Sequence, residues 1–499
     1  EAFREFKRLW DPDGKMNPGK IVDPHSITTN LRLGTDFAPE EPATRFQFIH
    51  DKGSFTHAAL RCVGIGECRR QEKGTMCPSY RATMEEKHST RGRARLLFEM
   101  MRGDVIRDGW KSEEVFDALD LCLSCKGCKS DCPVNVDMAA YKAEFLSHYY
   151  ENRLRPRYAY AMGWIHRWAR IASHFPRIAN TMGQTSWAKL IAGIAAERGV
   201  PKFAPVTFKD WFRRRGARNK GRPEVILWAD TFNNYFHPEV AAAATGILED
   251  AGFRVVVPRP ALCCGRPLYD YGFLDEAGEL LGDILVHLKP WIEAGVPVVG
   301  LEPSCLAVFR DEMLALRPHD QDARRLHSQV FTLAEFLSRQ DYKPPILHQD
   351  IVVHGHCHQK AVIGLDAEKK LFEGMGAHAE ILDDGCCGMA GSFGFEQHKY
   401  DLSMKVYEHK LGPRLRELPP ERLVLADGFS CKTQIEQATG RRPLHLAQLL
   451  HQAKNEARFT TPGSLLNGAT GATWKRNSAL IAGGALLALG ALYLGRRIL

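Results

Sequence analysis

From residue 223 onward, short apolar runs alternate with longer stretches of helical periodicity. Runs such as Val225-Ile226-Leu227-Trp228 and Ile351-Val352-Val353-His354 are apolar almost throughout rather than at every second position. Unbroken runs of this kind suit strands covered on both faces, so a parallel α/β arrangement is predicted. The pattern occurs twice. Val225 corresponds to Ile351, 126 positions later, and Cys263-Cys264-Gly265 to Cys386-Cys387-Gly388, 123 positions later. Cys305, which follows the run Val298-Val299-Gly300-Leu301, corresponds to Cys431 after Leu423-Val424-Leu425, again 126 positions later. Two tandem units of about 120 residues account for these offsets.

Two other stretches have a different pattern. Residues 153–222 read as basic helices with apolar faces, carrying Trp164, Trp168, Phe175, Trp187 and Trp211 beside Arg167, Arg170, Arg177 and the run Arg213-Arg214-Arg215. Such helices suit an anionic membrane surface or a solvated connector. Near the end, residues 460–473 are small and polar. Trp474-Lys475-Arg476 then precedes an uncharged apolar stretch at 479–495 that closes on Arg496-Arg497. As a helix that stretch would span roughly 27 Å, just under a bilayer core of about 30 Å, which makes it a candidate membrane anchor.

The net charge of +8 lies largely in residues 153–222 rather than on an aromatic-interleaved surface, so nucleic acid is not expected as a partner. All fourteen cysteines fall in motif positions and no secretory signal opens the chain, which together indicate a reducing, cytoplasmic compartment. The chain starts at Glu1 in the middle of a helical pattern, as expected of a segment from a longer polypeptide.

The densest chemistry is the run Cys122-Leu-Ser-Cys125-Lys-Gly-Cys128-Lys-Ser-Asp-Cys132-Pro133. Three thiolates at every third residue followed by Cys-Pro is the spacing that grips an iron–sulfur cube. A second Cys-Pro stands at Cys77-Pro78, so Cys77, Cys122, Cys125 and Cys128 form one predicted 4Fe-4S site. The mirror set is Cys62, Cys68 and Cys132, but Ile65 occupies the place of its middle cysteine. A second cluster would thus be three-sulfur or absent. A structural zinc site is the alternative for C-x-x-C spacing. Lys126 and Lys129 are placed to raise the potential of a neighbouring cluster or to stand in solvent.

In open α/β sheets ligands gather beyond the carboxyl ends of the strands, where the cysteines of both units fall. The second unit offers Cys357, Cys386, Cys387 and Cys431, with His356 and His358 flanking, and is read as a metal or redox site. The first offers only Cys263, Cys264 and Cys305, because the equivalent of Cys357 lies within Thr231-Phe-Asn-Asn234, and is read as structural. Since neighbouring cysteines cannot both address one small ion undistorted, an unusual cluster, a vicinal disulfide and a structural role stay open. For His354, His356 and His358 a core or capping role is the expectation.

These residues resemble the FAD-binding, iron–sulfur D-2-hydroxyacid dehydrogenases of the bacterial D-2-hydroxyglutarate dehydrogenase type, with relatives among glycolate oxidase iron–sulfur subunits. The resemblance covers about residues 1–450. It is carried by Asn17-Pro18-Gly19-Lys20, by Gly74-Thr-Met-Cys77-Pro-Ser-Tyr80, by Ser89-Thr-Arg-Gly-Arg-Ala-Arg95 and by the paired Cys-Cys-Gly units. It implies an α+β multidomain protein, an α-helical ferredoxin-like 4Fe-4S domain followed by two tandem α/β Cys-Cys-Gly units; the C-terminal hydrophobic helix is read from the residues alone and departs from the family pattern. The implied boundaries are residues 1–45 for the end of an FAD-linked oxidase domain, 46–150 for the helical iron–sulfur domain and 151–222 for the basic connector. The two units then occupy 223–340 and 341–456, the linker 457–476 and the anchor helix 477–496.

Functionally, the resemblance implies oxidation of a small D-2-hydroxy acid, D-2-hydroxyglutarate first, with electrons passing from FAD through 4Fe-4S to a quinone or other acceptor. FAD would sit mainly on an upstream domain, with Asn17, Pro18, Gly19 and Lys20 closing beside it, and the catalytic base would lie upstream as well. The tail would attach this cytoplasmic protein to the inner membrane. The rival readings are a D-lactate or glycolate dehydrogenase, an electron-transfer subunit of the anaerobic glycerol-3-phosphate dehydrogenase type, and a zinc-stabilised assembly subunit without catalysis.

Overall fold

The computed structural model describes residues 1–29, 33, 41–347 and 349–455. The expected linker and the apolar helix at 477–496 lie outside the described residues. Among the described residues no helix is long and apolar enough to cross a membrane.

Two small parallel sheets organise the second half of the chain. The first comprises β1 (Glu224–Leu227), β2 (Arg254–Val256), β3 (Val298–Gly300) and β4 (Val330–Thr332) in the order β2-β1-β3-β4. The second comprises β5 (Asp350–Val353), β6 (His378–Ile381) and β7 (Leu423–Leu425) in the order β6-β5-β7. All pairings are parallel. The shared strands follow one order, so the sequence repeat is also a repeat of topology. Val225, Ile226, Leu227, Ile351 and Val352 are fully buried, because crossover helices such as Pro238–Asp250 and Leu274–Glu293 cover the sheet faces. The elements start where the sequence supplies caps. Thr332 and Glu335 form a reciprocal capping box, and Asp230 accepts the backbone N–H groups of Phe232 and Asn233.

The two sheets face each other through their carboxyl ends. Glu302, beyond β3, accepts the N–H of Phe429, beyond β7, at 2.8 Å, and Phe232 stacks on Phe429 with ring centroids 4.5 Å apart. In the same seam Glu368 accepts from Gln359 at 2.7 Å and from Thr332 at 3.4 Å. Burial, reinforced by the Asp427 and Glu335 carboxylates, pushes Glu368 up to about 8. A carboxyl raised in the folded state is protonated there while the unfolded chain has already lost its proton. The folded form therefore loses stability as pH climbs from about 4.5 through 8. Glu368→Gln should remove on the order of 5 kcal/mol of that pH dependence. Denaturant midpoints of both proteins at pH 5, 7 and 9 test this, and parallel pH profiles would refute it.

Ahead of the sheets, residues 49–150 are helical. Ser54, Ser89, Ser112 and Asp137 cap the helices Phe55–Leu60, Thr90–Arg102, Glu113–Asp120 and Met138–Tyr149. Phe55, Leu97, Val115, Leu119 and Phe145 form their common core, and cysteines line one side of it. Five short helices follow between Arg157 and Arg215. Some of their polar groups act as internal ties, Arg155 to the carbonyls of Tyr271 and Gly272 and Trp164 to Glu276. Phe175, Ile178, Trp187, Leu190 and Ile191 are exposed.

Candidate metal centre

The cysteine run begins where helix Glu113–Asp120 ends and carries Cys128 on the short helix Gly127–Asp131. Ser124 and Lys126 take left-handed backbone, which turns the loop sharply enough to aim successive sulfurs inward. Gly127 is required by the neighbouring chain, since a Cβ there would fall 2.9 Å from the Thr75 side chain and 3.0 Å from the Met76 nitrogen. That close approach brings the Cys77 segment against the run. Asp131 fixes it by accepting the N–H groups of Thr75 and Met76 at 2.6 and 3.0 Å.

Cys77, Cys122, Cys125 and Cys128 are all buried and unbridged. Burial, with the Cys122 and Cys77 sulfurs and Asp137, pushes the Cys128 thiol up. Burial, with the sulfurs of Cys357, Cys128 and Cys122, does the same to Cys125. Burial thus keeps Cys125 and Cys128 as neutral thiols unless cations bind among the sulfurs, which is the donor chemistry of an iron–sulfur group. Donors face the sulfurs, Met138 N–H to Cys128 at 3.4 Å, Arg93 to Cys77 at 3.4 Å and Thr90 to Cys77 at 3.5 Å. Arg93, 1% exposed, also holds Ala118 O and Ser79 Oγ. It places a guanidinium beside the Cys77 sulfur, a role invisible in a sequence where it is one arginine among several.

Lys126 is not solvated. It is 1% exposed and reaches Asp311 at 2.5 Å, Glu312 at 3.2 Å and Asp137 at 3.3 Å. Lys129, partly exposed, shares Asp311 and Asp137. Of the mirror set, Cys68 is buried while Cys62 and Cys132 are half-buried, and all three border the same core. Arg91 N–H donates to Cys68 at 3.4 Å. Ile65 is 53% exposed, so it does not turn into the place of the missing ligand.

Beyond the second sheet, Cys357, Cys386, Cys387 and Cys431 come together, all buried. Cys357 and Cys386 pack with Cys125 in one apolar cluster, and His358 Nε2 meets the Ser124 carbonyl at 2.8 Å. The two cysteine sites therefore adjoin. Cys387 and Cys431 lie on the other side, close to His354. The third residue of this motif must be glycine, because a Cβ on Gly388 would fall 2.2 Å from the Ser403 carbonyl at a φ of +84°. His356 and His358 are held below the ordinary histidine range by burial, His356 at about 4.

The first unit shows the same scaffold with different chemistry. Gly265 N–H donates to Cys263 at 3.4 Å as Gly388 N–H does to Cys386. The counterpart of Cys357 is Thr231, whose hydroxyl donates to Cys263 at 3.5 Å, and the counterpart of His354 is Trp228. Cys264 and Cys305 hydrogen-bond to each other at 2.9 Å.

A 4Fe-4S dicluster domain matches residues 58–136, from just before Cys62 to just beyond Cys132. The chain carries a 4Fe-4S dicluster domain. A cysteine-rich domain matches residues 230–310, which hold Thr231 to Cys305 of the first unit. Relatives of the whole arrangement include D-2-hydroxyglutarate dehydrogenase of Pseudomonas putida, 25% identical over 90% of this chain and 49% of the relative. The Escherichia coli protein of the same name is 26% identical over 90% of this chain and 48% of the relative. A subunit of the anaerobic glycerol-3-phosphate dehydrogenase of Escherichia coli is 27% identical over 57% of this chain and 74% of its own length. These names match the resemblance read from the residues. The chain spans about half the length of the D-2-hydroxyglutarate dehydrogenases it matches.

Asn17, Pro18, Gly19 and Lys20 stand on a surface turn after helix Ala2–Trp10. Among the described residues the hydrogen bonds of residues 1–29 stay within that segment, as with His25 N–H to Gly19 O at 3.1 Å. The structure does not bring these four residues to the cysteines.

Proposed function

We propose that this chain is the electron-transfer portion of an FAD-dependent D-2-hydroxyacid dehydrogenase that oxidises D-2-hydroxyglutarate to 2-oxoglutarate. Its substrate and flavin would sit on an upstream domain, beside which Asn17 to Lys20 would close. Cys77, Cys122, Cys125 and Cys128 would hold a 4Fe-4S cluster, and the cysteines of the second α/β unit a further metal or redox site. The bound groups would supply hydride acceptance at the flavin and one-electron transfer at the iron. The protein's part is to bury the sulfurs, to face them with N–H donors and with Arg93, and to hold both sites in one packed body.

The observation that carries this reading is Cys125, whose side chain belongs to the same buried cluster as Cys357 and Cys386. A cluster bound there would be in contact with the second unit rather than isolated from it. The proposed route ends on a quinone or another acceptor, and the apolar stretch at 479–495 would keep the protein at the membrane that holds a quinone.

The test is metal and sulfide analysis with EPR of the anaerobically purified chain, followed by turnover of an upstream-extended protein. About four irons with four sulfides and a reduced-cluster EPR signal support the site, whereas zinc without sulfide indicates an assembly subunit instead. The extended protein should oxidise D-2-hydroxyglutarate at least 10-fold faster, in kcat/KM, than D-lactate or glycolate. Equal rates on the three acids would remove the substrate assignment, and unchanged membrane association of a chain ending at Thr473 would remove the anchor.

A further inference from the structure

Two buried cations beside the predicted 4Fe-4S site have no acid to answer them. Arg93, on helix Thr90–Arg102, donates to Cys77 Sγ at 3.4 Å, to Ala118 O at 2.6 Å and to Ser79 Oγ at 2.9 Å. Lys142, 4% exposed on helix Met138–Tyr149, donates to the carbonyls of Cys122 at 2.7 Å and Asp120 at 3.3 Å. Among the described residues neither forms an ion pair with a carboxylate. We infer that the net negative charge of an iron–sulfur group held by Cys77, Cys122, Cys125 and Cys128 is the counter-charge of Arg93 and Lys142, and that both residues raise its reduction potential.

Three observations support it. First, a guanidinium keeps its proton inside a protein, and a buried charge without a partner is far more costly than a paired one. The neutral oxygens around Arg93 satisfy its N–H groups but leave its charge unanswered. Second, this fold pairs cations of similar depth elsewhere. Arg266 meets Asp270 and Glu312 at 2.6 Å each, and Lys399 meets Asp120 and Glu396 at 2.7 Å each. Arg198, buried without an ion pair as well, lies over the Tyr400 ring at 4.8 Å, whereas Arg93 and Lys142 have no such ring among the described residues. Third, both cations address the ligand set itself, Arg93 a ligand sulfur and Lys142 the backbone of a ligand residue. Lys126, although next to Cys125 in the chain, is already answered by three carboxylates and has little charge left to offer. Four thiolates around a 4Fe-4S core leave net negative charge that grows on reduction. A fixed cation at hydrogen-bond distance therefore favours the reduced form.

The inference rests on the reading of these four cysteines as a 4Fe-4S site, and its test separates the two. Iron, sulfide and the midpoint of an EPR-monitored reduction are measured on anaerobically purified wild type, Arg93→Met, Arg93→Lys and Lys142→Met, following the signal that Cys125→Ser removes. Arg93→Met and Lys142→Met should each lower the equilibrium constant for reduction at least tenfold, which places the midpoint about 59 mV or more further negative. Arg93→Lys, which keeps the charge but not the planar fork, should change that constant by less than about threefold. A residue that only ties Ser79 and Ala118 in place would alter stability and leave the midpoint where it was. Lys142→Met, on a different helix, reads the same shift if Arg93→Met does not fold. If Arg93→Met loses its iron while Arg93→Lys keeps it, the requirement for charge is read as retention and supports the inference. A bound cluster whose reduction constant stays within about twofold of wild type in both methionine variants overturns the inference and leaves the site standing. A shift in Arg93→Lys as large as that in Arg93→Met assigns the effect to hydrogen-bond geometry and overturns it as well. Wild type without iron and sulfide overturns the cluster reading, and the inference falls with it.

Discussion

Cys125→Ser should reduce iron, sulfide and visible absorption to less than about a fifth of the wild-type level and slow electron transfer at least 100-fold. The other predicted ligands border the helical core, whereas Cys125 packs with Cys357, Cys386 and Phe393 of the second unit. Its loss both opens the ligand set and removes the sulfur nearest the neighbouring site. An oxygen ligand is harder and binds iron–sulfur groups less well than thiolate. Cys264→Ser, in the first unit, provides the control and should leave iron unchanged. A Cys125→Ser protein with native iron and an unaltered visible spectrum would show that the assigned set is wrong.

Lys126→Met should destabilise the protein by about 3–5 kcal/mol, read as a shift of the denaturant midpoint. The ammonium group is buried among Asp137, Asp311 and Glu312, and those carboxylates hold it well above the ordinary lysine range against the opposing effect of burial. Methionine fills the same volume and leaves the acids less compensated. Lys129 still answers Asp311 and Asp137, and Arg266 still answers Glu312 at 2.6 Å. Each acid thus retains one partner, which places the expected cost at the lower end of the range. Adding Asp311→Asn to Lys126→Met should restore part of the loss, because it removes an acid the lysine no longer serves. A shift below about 1 kcal/mol would mean the network holds nothing together.

The spacing of cysteines makes much of this legible. A cubane site needs sulfurs at short fixed intervals, so Cys122, Cys125 and Cys128 stand out as candidates, with Cys77 of the distant Cys-Pro as the proposed fourth. The tandem repeat is legible for a similar reason, since Cys-Cys-Gly and the buried strand runs recur at nearly constant offsets. Other features depend on burial and direction, which sequence does not carry. Lys126 stands open in the sequence between a solvated and a cluster-facing role, and only the fold brings Asp311 and Glu312 to it from 185 positions or more away. Strand alternation groups His354 with His356 and His358. What separates it is Asp384, 30 residues later and beyond the next strand.

The bond between His358 and the Ser124 carbonyl joins residues 234 positions apart. On a ribosome adding about 5–20 residues per second, the cysteine loop emerges roughly 10–50 s before the segment that will cover it. During that interval the loop has one face open. Iron and sulfide delivered to it then would not require dismantling a finished fold, and docking of the second unit afterwards would seal them in. Insertion of a cluster at this loop would then follow the order of synthesis, and a chain that closes before it is loaded would keep its sulfurs behind a packed wall.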